Sequence, residues 1–307
     1  MDFTIIPATE YVKPTKIVKF SEGFHHTLQT LPTWRESELP SGNQNNIRNF
    51  QKLKEHWGDP PLTMIDHDFL HETIAEIKEV TGNTPATLNR AISTVKKVLS
   101  LCARSGYIRG IPVIEKLRET ERRRPAFYTK EQVDRLVQIA RERGDDAMAE
   151  AIELSAYSGL RQAECRRLHV DDIDWRGNLL LVGGTSATRT KGRNYREVPI
   201  HPRLVPLLKA RSGLDRGFHD IVFDEFPNQW NLHRRWKRVL NLMNREDRTV
   251  TDRHMWKTLR NSFITWALDD GVPSMKVKGW AGHSSITVTE GYYSQNNDQD
   301  HRMMSQL

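Results

Sequence analysis

Apolar residues recur at helical spacing along most of this chain, and strand-like apolar runs are confined to two short stretches. Phe20, Phe24, Leu28 and Leu31 fall on one face, which predicts a short helix there. Residues 46–57 resume that period through Ile47, Phe50 and Trp57. Ser41-Gly42-Asn43 before them reads as a loop, and Gly58-Asp59-Pro60-Pro61 stops them. The clearest helix opens at Thr84-Pro85, a cap residue followed by proline in the first turn. It carries Leu88, Ile92, Val95, Leu99 and Cys102 on one stripe and closes at Gly106. Thr129-Lys130-Glu131-Gln132 has capping-box form and opens a second series. That series predicts helices over 130–143, 146–157, 228–244, 256–269 and 273–280, with strands at 179–182 and 197–200. The turn between the strands holds Gly183, Gly184, Gly192 and several basic residues.

The expected organisation is an irregular lead-in over 1–19, a helical domain over 20–119, a linker over 120–125 and a second domain over 126–307. The linker reads TERRRP, where three adjacent arginines stay solvated or meet phosphates; both readings stand. The fold class expected is mainly α with a small antiparallel β-sheet in the second domain.

Charge changes the picture modestly. Lys and Arg total 46 against 39 Asp and Glu, a net +7 over 307 residues, which favours a polyanionic partner. Two cysteines, Cys102 and Cys165, make no disulfide framework and read as reduced thiols. The first residues lack a basic start with an apolar core, and no apolar run approaches the roughly 20 residues of a membrane helix. A soluble, cytoplasmic protein without membrane association is therefore expected.

Four segments hold candidate chemistry. Ser158-Gly159-Leu160-Arg161-Gln162-Ala163-Glu164 places an arginine after a glycine turn, with Glu164 one helical turn on and able to hold it. Thr190-Lys191-Gly192-Arg193 puts a lysine in a glycine-containing hairpin, where solubility alone is the simpler account. In Lys257-Thr258-Leu259-Arg260-Asn261-Ser262-Phe263 two cations three residues apart share a helix face and repel unless an anion lies between them. The fourth is Gly282-His283-Ser284-Ser285-Ile286-Thr287-Val288-Thr289-Glu290-Gly291-Tyr292-Tyr293. Read singly, His283 is a loop histidine and Tyr292 a packed aromatic. Two decoys stand beside these. His67 and His71 lack the glutamate of a His-Glu-x-x-His site and read as a solvated helical turn, and Tyr293 neighbours Tyr292.

Taken together and in order, Arg161, Lys191, Arg260, His283 and Tyr292 resemble the tyrosine recombinase family, which includes phage integrases. The shared pattern is Gly-Leu-Arg-x-x-Glu, a hairpin lysine, a His-x-x-Arg box, and Gly-His followed by a tyrosine nine residues after the histidine. The resemblance covers roughly residues 125–295 and extends more loosely to the helical first domain. It implies a two-domain DNA clamp and strand exchange through a 3′-phosphotyrosyl intermediate on Tyr292. Arg161 and Arg260 would then clamp the phosphate, Lys191 act as general acid, and His283 and Lys257 assist. It further implies double-stranded DNA as substrate, a homo-tetramer on two duplexes, a possible accessory DNA-bending or directionality protein, and neither cofactor nor metal. Spacing from His283 selects Tyr292 over Tyr293.

Two departures stand out. Lys257 occupies the usual histidine position, and with a free pKa of about 10.4 it is a poorer proton shuttle. Trp280-Ala281 precede Gly282 where leucines are common. The alternative is a DNA-binding protein of the same fold without strand exchange, and a relaxing topoisomerase is a third reading.

Overall fold

The structure is a computed structural model that describes residues 19–31, 40–119, 125–183, 195–213, 217, 220–251 and 253–292, with backbone alone for 40–46. Lys191, Tyr293, the residues after it and the arginine run of the linker lie outside the described residues. The chain divides into two compact units, Met1–Arg122 and Arg123–Leu307.

The first unit contains α1 (Phe20–Thr30), α2 (Pro40–Trp57), α3 (His67–Thr81) and α4 (Pro85–Arg104). The α4 stripe read from the sequence is buried throughout. Phe24 stacks on Phe50 with ring centroids 4.2 Å apart, and Phe20 packs on both Phe50 and Trp57. Gly23 lets α1 approach α4, since a Cβ there would lie 3.0 Å from Cys102 Sγ. Ser41-Gly42-Asn43, expected as a loop, belongs to α2, which starts at Pro40. First-turn N–H groups have no intrahelical acceptor, so poor helix formers cost least there. The helix α3, which extends the helical turn expected at His67 and His71, begins where Asp66 accepts from Phe69 N at 2.9 Å and ends at Gly82, with φ of 63°.

The second unit comprises α5 (Lys130–Glu142), α6 (Asp146–Ser158), α7 (Gln162–Arg166), β1 (Ile173–Asp174), β2 (Leu179–Val182), β3 (Arg196–Pro199), α8 (Val205–Arg211), α9 (Gln229–Glu246), α10 (Trp256–Asp269), α11 (Ser274–Ala281) and α12 (Ile286–Glu290). The three strands form one antiparallel sheet in the order β1-β2-β3, with Leu180 opposite Val198 and Val182 opposite Arg196. The helices α5, α6, α9 and α10 pack together around a core that includes Val133, Leu136, Ile152, Trp236 and Leu259. β3 starts one residue before the expected strand, and its alternation turns Arg196 and Val198 inward. A strand arginine on the core face needs a buried counter-charge, and that pairing leads to the site. No helix among the described residues is long and apolar enough to cross a membrane.

Candidate active site

The site is built around the C-terminal end of α11. A helix end leaves its last carbonyls without intrahelical donors and carries partial negative charge, so cations gather there. Three consecutive carbonyls at this end each receive a different arginine. Trp280 O accepts from Arg196 Nε at 2.8 Å, Ala281 O from Arg260 Nη2, and Gly282 O from Arg161 Nη2 at 3.0 Å. Four stretches of sequence, from α7, β3, α10 and α11, thus meet at one helix terminus.

Two glycines make this possible. Gly282 caps α11 in the left-handed region at φ 66°, and a Cβ there would lie 3.1 Å from Arg196 Cδ. Gly159 caps α6 at φ 64°, where a Cβ would run into the Phe263 ring, and its carbonyl accepts from Arg260 Nη1 at 2.6 Å. Left-handed backbone is open to glycine at little steric cost.

Glu164 supplies the counter-charge. It is 8% exposed and takes four donors: Arg161 Nη1 and Arg196 Nη1 on Oε1 at 2.9 and 3.0 Å, and Arg196 Nη2 and Arg161 N on Oε2 at 2.6 and 2.7 Å. Burial alone would raise its carboxyl, yet hydrogen bonds and charge from Arg196, then Arg161, hold it at about 2. It is the third residue of α7, where an acidic side chain also reaches back to the cap N–H. The sequence suggested that Glu164 holds Arg161; Arg196, which it grips bidentately, was left in the basic turn.

Two guanidiniums bond to this one carboxylate and that of Arg260 stands within its field, so positive charge is in excess. Arg260 is pulled down to about 9, first by burial and then by the Arg161 charge, with Arg196 adding to the effect against Glu164. It remains charged near neutral pH. Arg161 is half exposed, so the excess charge opens to solvent on its side. Such an arrangement calls for an anion with several oxygens.

The other two residues sit beside it. His283 Nδ1 pairs with Thr289 Oγ1 at 2.9 Å, and its ring stacks on Tyr292 at 5.8 Å between centroids. Burial, followed by the charges of Arg260, Arg161 and Arg196, lowers His283 to about 4 and keeps it neutral. Tyr292 packs beside Ile264, Leu268, Val277 and Ala281, and its hydroxyl donates to Asn261 Oδ1 at 3.2 Å. Burial raises the phenol pKa while Arg260 acts against that rise.

Arg161, Arg260, His283 and Tyr292 are thus brought together. Lys257 is not: it is exposed at the first turn of α10 while Arg260 points inward, and among the described residues nothing bonds to it. His254 packs on Tyr128 instead. His67 stacks on His71, whose Nε2 lies 3.2 Å from Glu115 O. Glu164, Arg196, Asn261 and Thr289 are the residues that the sequence did not single out as site members. The readable signals were Glu164 one helical turn from Arg161 and an arginine beginning a buried strand.

Residues 126–300 match the model of the phage integrase family. Tyrosine recombinase XerC of Oceanobacillus iheyensis is 27% identical over 220 residues, covering 67% of this chain and 69% of that protein. Tyrosine recombinase XerD of Staphylococcus epidermidis is 23% identical over 299 residues, covering 88% and 95%. Among solved structures, the Tn1549 transposon integrase in complex with transposon right end DNA superposes with a TM-score of 0.73 at 16% identity, over 94% of this chain and 99% of that one. A lambda integrase dimer bound to a core site gives 0.68 at 14% identity, over 91% and 78%. Because the family match spans more than half of the sequence and takes in every element that brings a polar group to the α11 terminus, the chain belongs to the phage integrase family.

Proposed function

We propose that this chain is a site-specific DNA recombinase that cuts and rejoins duplex DNA through Tyr292. The observation that carries the reading is the guanidinium group at the end of α11, with Tyr292 and a neutral His283 beside it. A phosphodiester fits the excess charge, and a phenol is a suitable nucleophile because the ester it forms keeps the bond energy for resealing. In cleavage, Tyr292 Oη bonds to phosphorus as the bond to the 5′-oxygen breaks. The phenol proton passes to His283, and Lys191 protonates the leaving oxygen. Arg161 and Arg260 stabilise the charge that grows on the phosphoryl oxygens. Lys257 adds a contact to the DNA backbone. The reverse sequence reseals the strand, and neither cofactor nor metal takes part.

Relatives of the family support the substrate class: the Tn1549, XerH and lambda proteins were solved on DNA. We assign residues 20–119 as a DNA-binding domain, 126–307 as the catalytic domain, and a homo-tetramer on two duplexes as the working assembly. An accessory DNA-bending or directionality protein is consistent with this scheme, and the place of action is the cytoplasm.

The test is a suicide DNA substrate carrying the attachment site, incubated with the native chain and with Tyr292→Phe. A denaturation-resistant adduct from the native protein, absent in the variant, is the expected result. An adduct that persists in the variant moves the nucleophile to Tyr293. Specific binding without an adduct from either protein points to a DNA-binding protein of the same fold.

A further inference from the structure

Asn261 follows Arg260 on α10 and is 7% exposed. Its Oδ1 accepts from the Tyr292 hydroxyl at 3.2 Å, and its Nδ2 donates to Ala126 O at 3.0 Å. The second bond orients the amide: the Ala126 carbonyl takes only an N–H, which leaves Oδ1 for the phenol. The segment that presents Ala126 is itself fastened to α10. Tyr128 N donates to Ser262 Oγ at 2.8 Å, and Trp266 Nε1 donates to Tyr128 O at 3.0 Å.

An amide oxygen is an acceptor but a very weak base, so it directs a phenol without removing its proton. The bond is also long for an O–H donor, which makes it easy to exchange. We propose that Asn261 is a positioning residue that holds the Tyr292 hydroxyl beside Arg260, ready for release to an incoming phosphate. This rests on reading Tyr292 as the nucleophile. Without the bond, the phenol ring still packs on its apolar neighbours but its hydroxyl loses a fixed direction, and misplacement of a nucleophile slows attack. On attack the hydroxyl leaves Oδ1, the Oη–P bond forms as the P–O5′ bond breaks, and the proton goes to His283.

The experiment compares Asn261→Ala, Asn261→Asp and Ser262→Ala in full-length protein. One readout is the single-turnover cleavage rate at saturating suicide DNA, with DNA affinity measured separately. The other is the fluorine NMR resonance of fluorotyrosine at position 292 without DNA, assigned by its disappearance in Tyr292→Phe. Asn261→Ala should cleave about ten-fold more slowly with affinity within about two-fold, and its fluorine resonance should shift. Asn261→Asp keeps an acceptor for the hydroxyl but loses the donor to Ala126 O and sets a negative charge beside the incoming phosphate, so it should cleave no faster than Asn261→Ala. Ser262→Ala cuts one of the two bonds that fasten the Ala126 segment, while Trp266 still holds it, and should slow cleavage by less than Asn261→Ala. A native rate and an unmoved resonance in Asn261→Ala would overturn the proposal, and so would equal slowing by Ser262→Ala. If the native protein forms no Tyr292-dependent adduct, the recombinase reading fails, while the resonance still decides whether Asn261 holds the hydroxyl.

Discussion

The two units of this chain fill their interiors in different ways. In the first, the buried side chains are apolar apart from His26, Asn89 and three threonines, and no Lys, Arg, Asp or Glu is buried among its described residues. Its buried threonines return their hydroxyls to their own helices, as Thr27 does to Gly23 O and Thr73 to Phe69 O. In the second unit Glu153, Glu164, Asp172, Arg196 and Arg260 are all buried. Desolvating charge is expensive, and an apolar replacement of equal shape is often at least as stable. Of these, Glu164, Arg196 and Arg260 converge on the α11 terminus, while Glu153 pairs with Arg203 and Asp172 accepts from His169 N, so buried charge in this unit serves the framework as well as the site.

Removing one partner from each interior should give the largest effects and break the comparison if it is wrong. Phe50→Ala leaves a cavity where Phe20 and Phe24 stack and should cost about 3–5 kcal/mol. Hydrogen exchange should then rise in α1, α2 and α4, with no change at the arginine group. Glu164→Gln leaves Arg161 and Arg196 without their counter-charge and should cost a similar 3–5 kcal/mol, with exchange rising in α7, β3 and α11. It should also abolish strand cleavage. If each variant loosened both units equally, the contrast would fail.

A smaller effect sharpens the contrast at two helix ends whose capping glycines have nearly equal φ. Gly82 in the first unit and Gly282 in the second have φ of 63° and 66°, but a Cβ on Gly82 meets nothing within 4 Å. Gly82→Ala should cost about 1–2 kcal/mol, the penalty for left-handed backbone alone. Gly282→Ala should cost more, because Arg196 must also give way. Urea denaturation of the two variants measures the difference, and equal losses would mean that the close approach to Arg196 carries no weight.

A further difference is a pH dependence confined to the second unit. His283 titrates near 4 when folded against 6.5 when unfolded, so between those values the unfolded chain binds more protons. Its contribution is fully present above about pH 6.5 and is lost as the pH falls towards 4. His283→Asn should flatten the urea midpoint against pH over that window. An identical profile for native and variant would show that the arginines do not act on His283 in this way.

Much of the helical framework was legible beforehand. The stripes of α1 and α4, the capping box of α5 and the span of α10 follow from period and cap chemistry that act within a few residues. α3 carried an equally readable stripe in Leu70, Ile74 and Ile77 that went unread beyond its first turn. Arg161, Arg260, His283 and Tyr292 were named from motif order, and they meet in the fold. The pairing of Arg196 with Glu164 was not visible, since their 32-residue separation says nothing about contact.

The sequence by itself determined where helices with clear caps, such as α4 and α5, start, which glycines follow helices, and which residue types are available for phosphate chemistry. These are local properties, set by hydrogen-bonding groups and side-chain spacing within one or two turns. Only the tertiary structure decided that three arginines from distant segments share one helix end, that two of them share one carboxylate, that Arg260 faces inward while Lys257 stays exposed, and that Asn261 meets the Tyr292 hydroxyl. The reason is that burial of charge depends on its partner being brought to it, and only the packing of α7, β3, α10 and α11 does that.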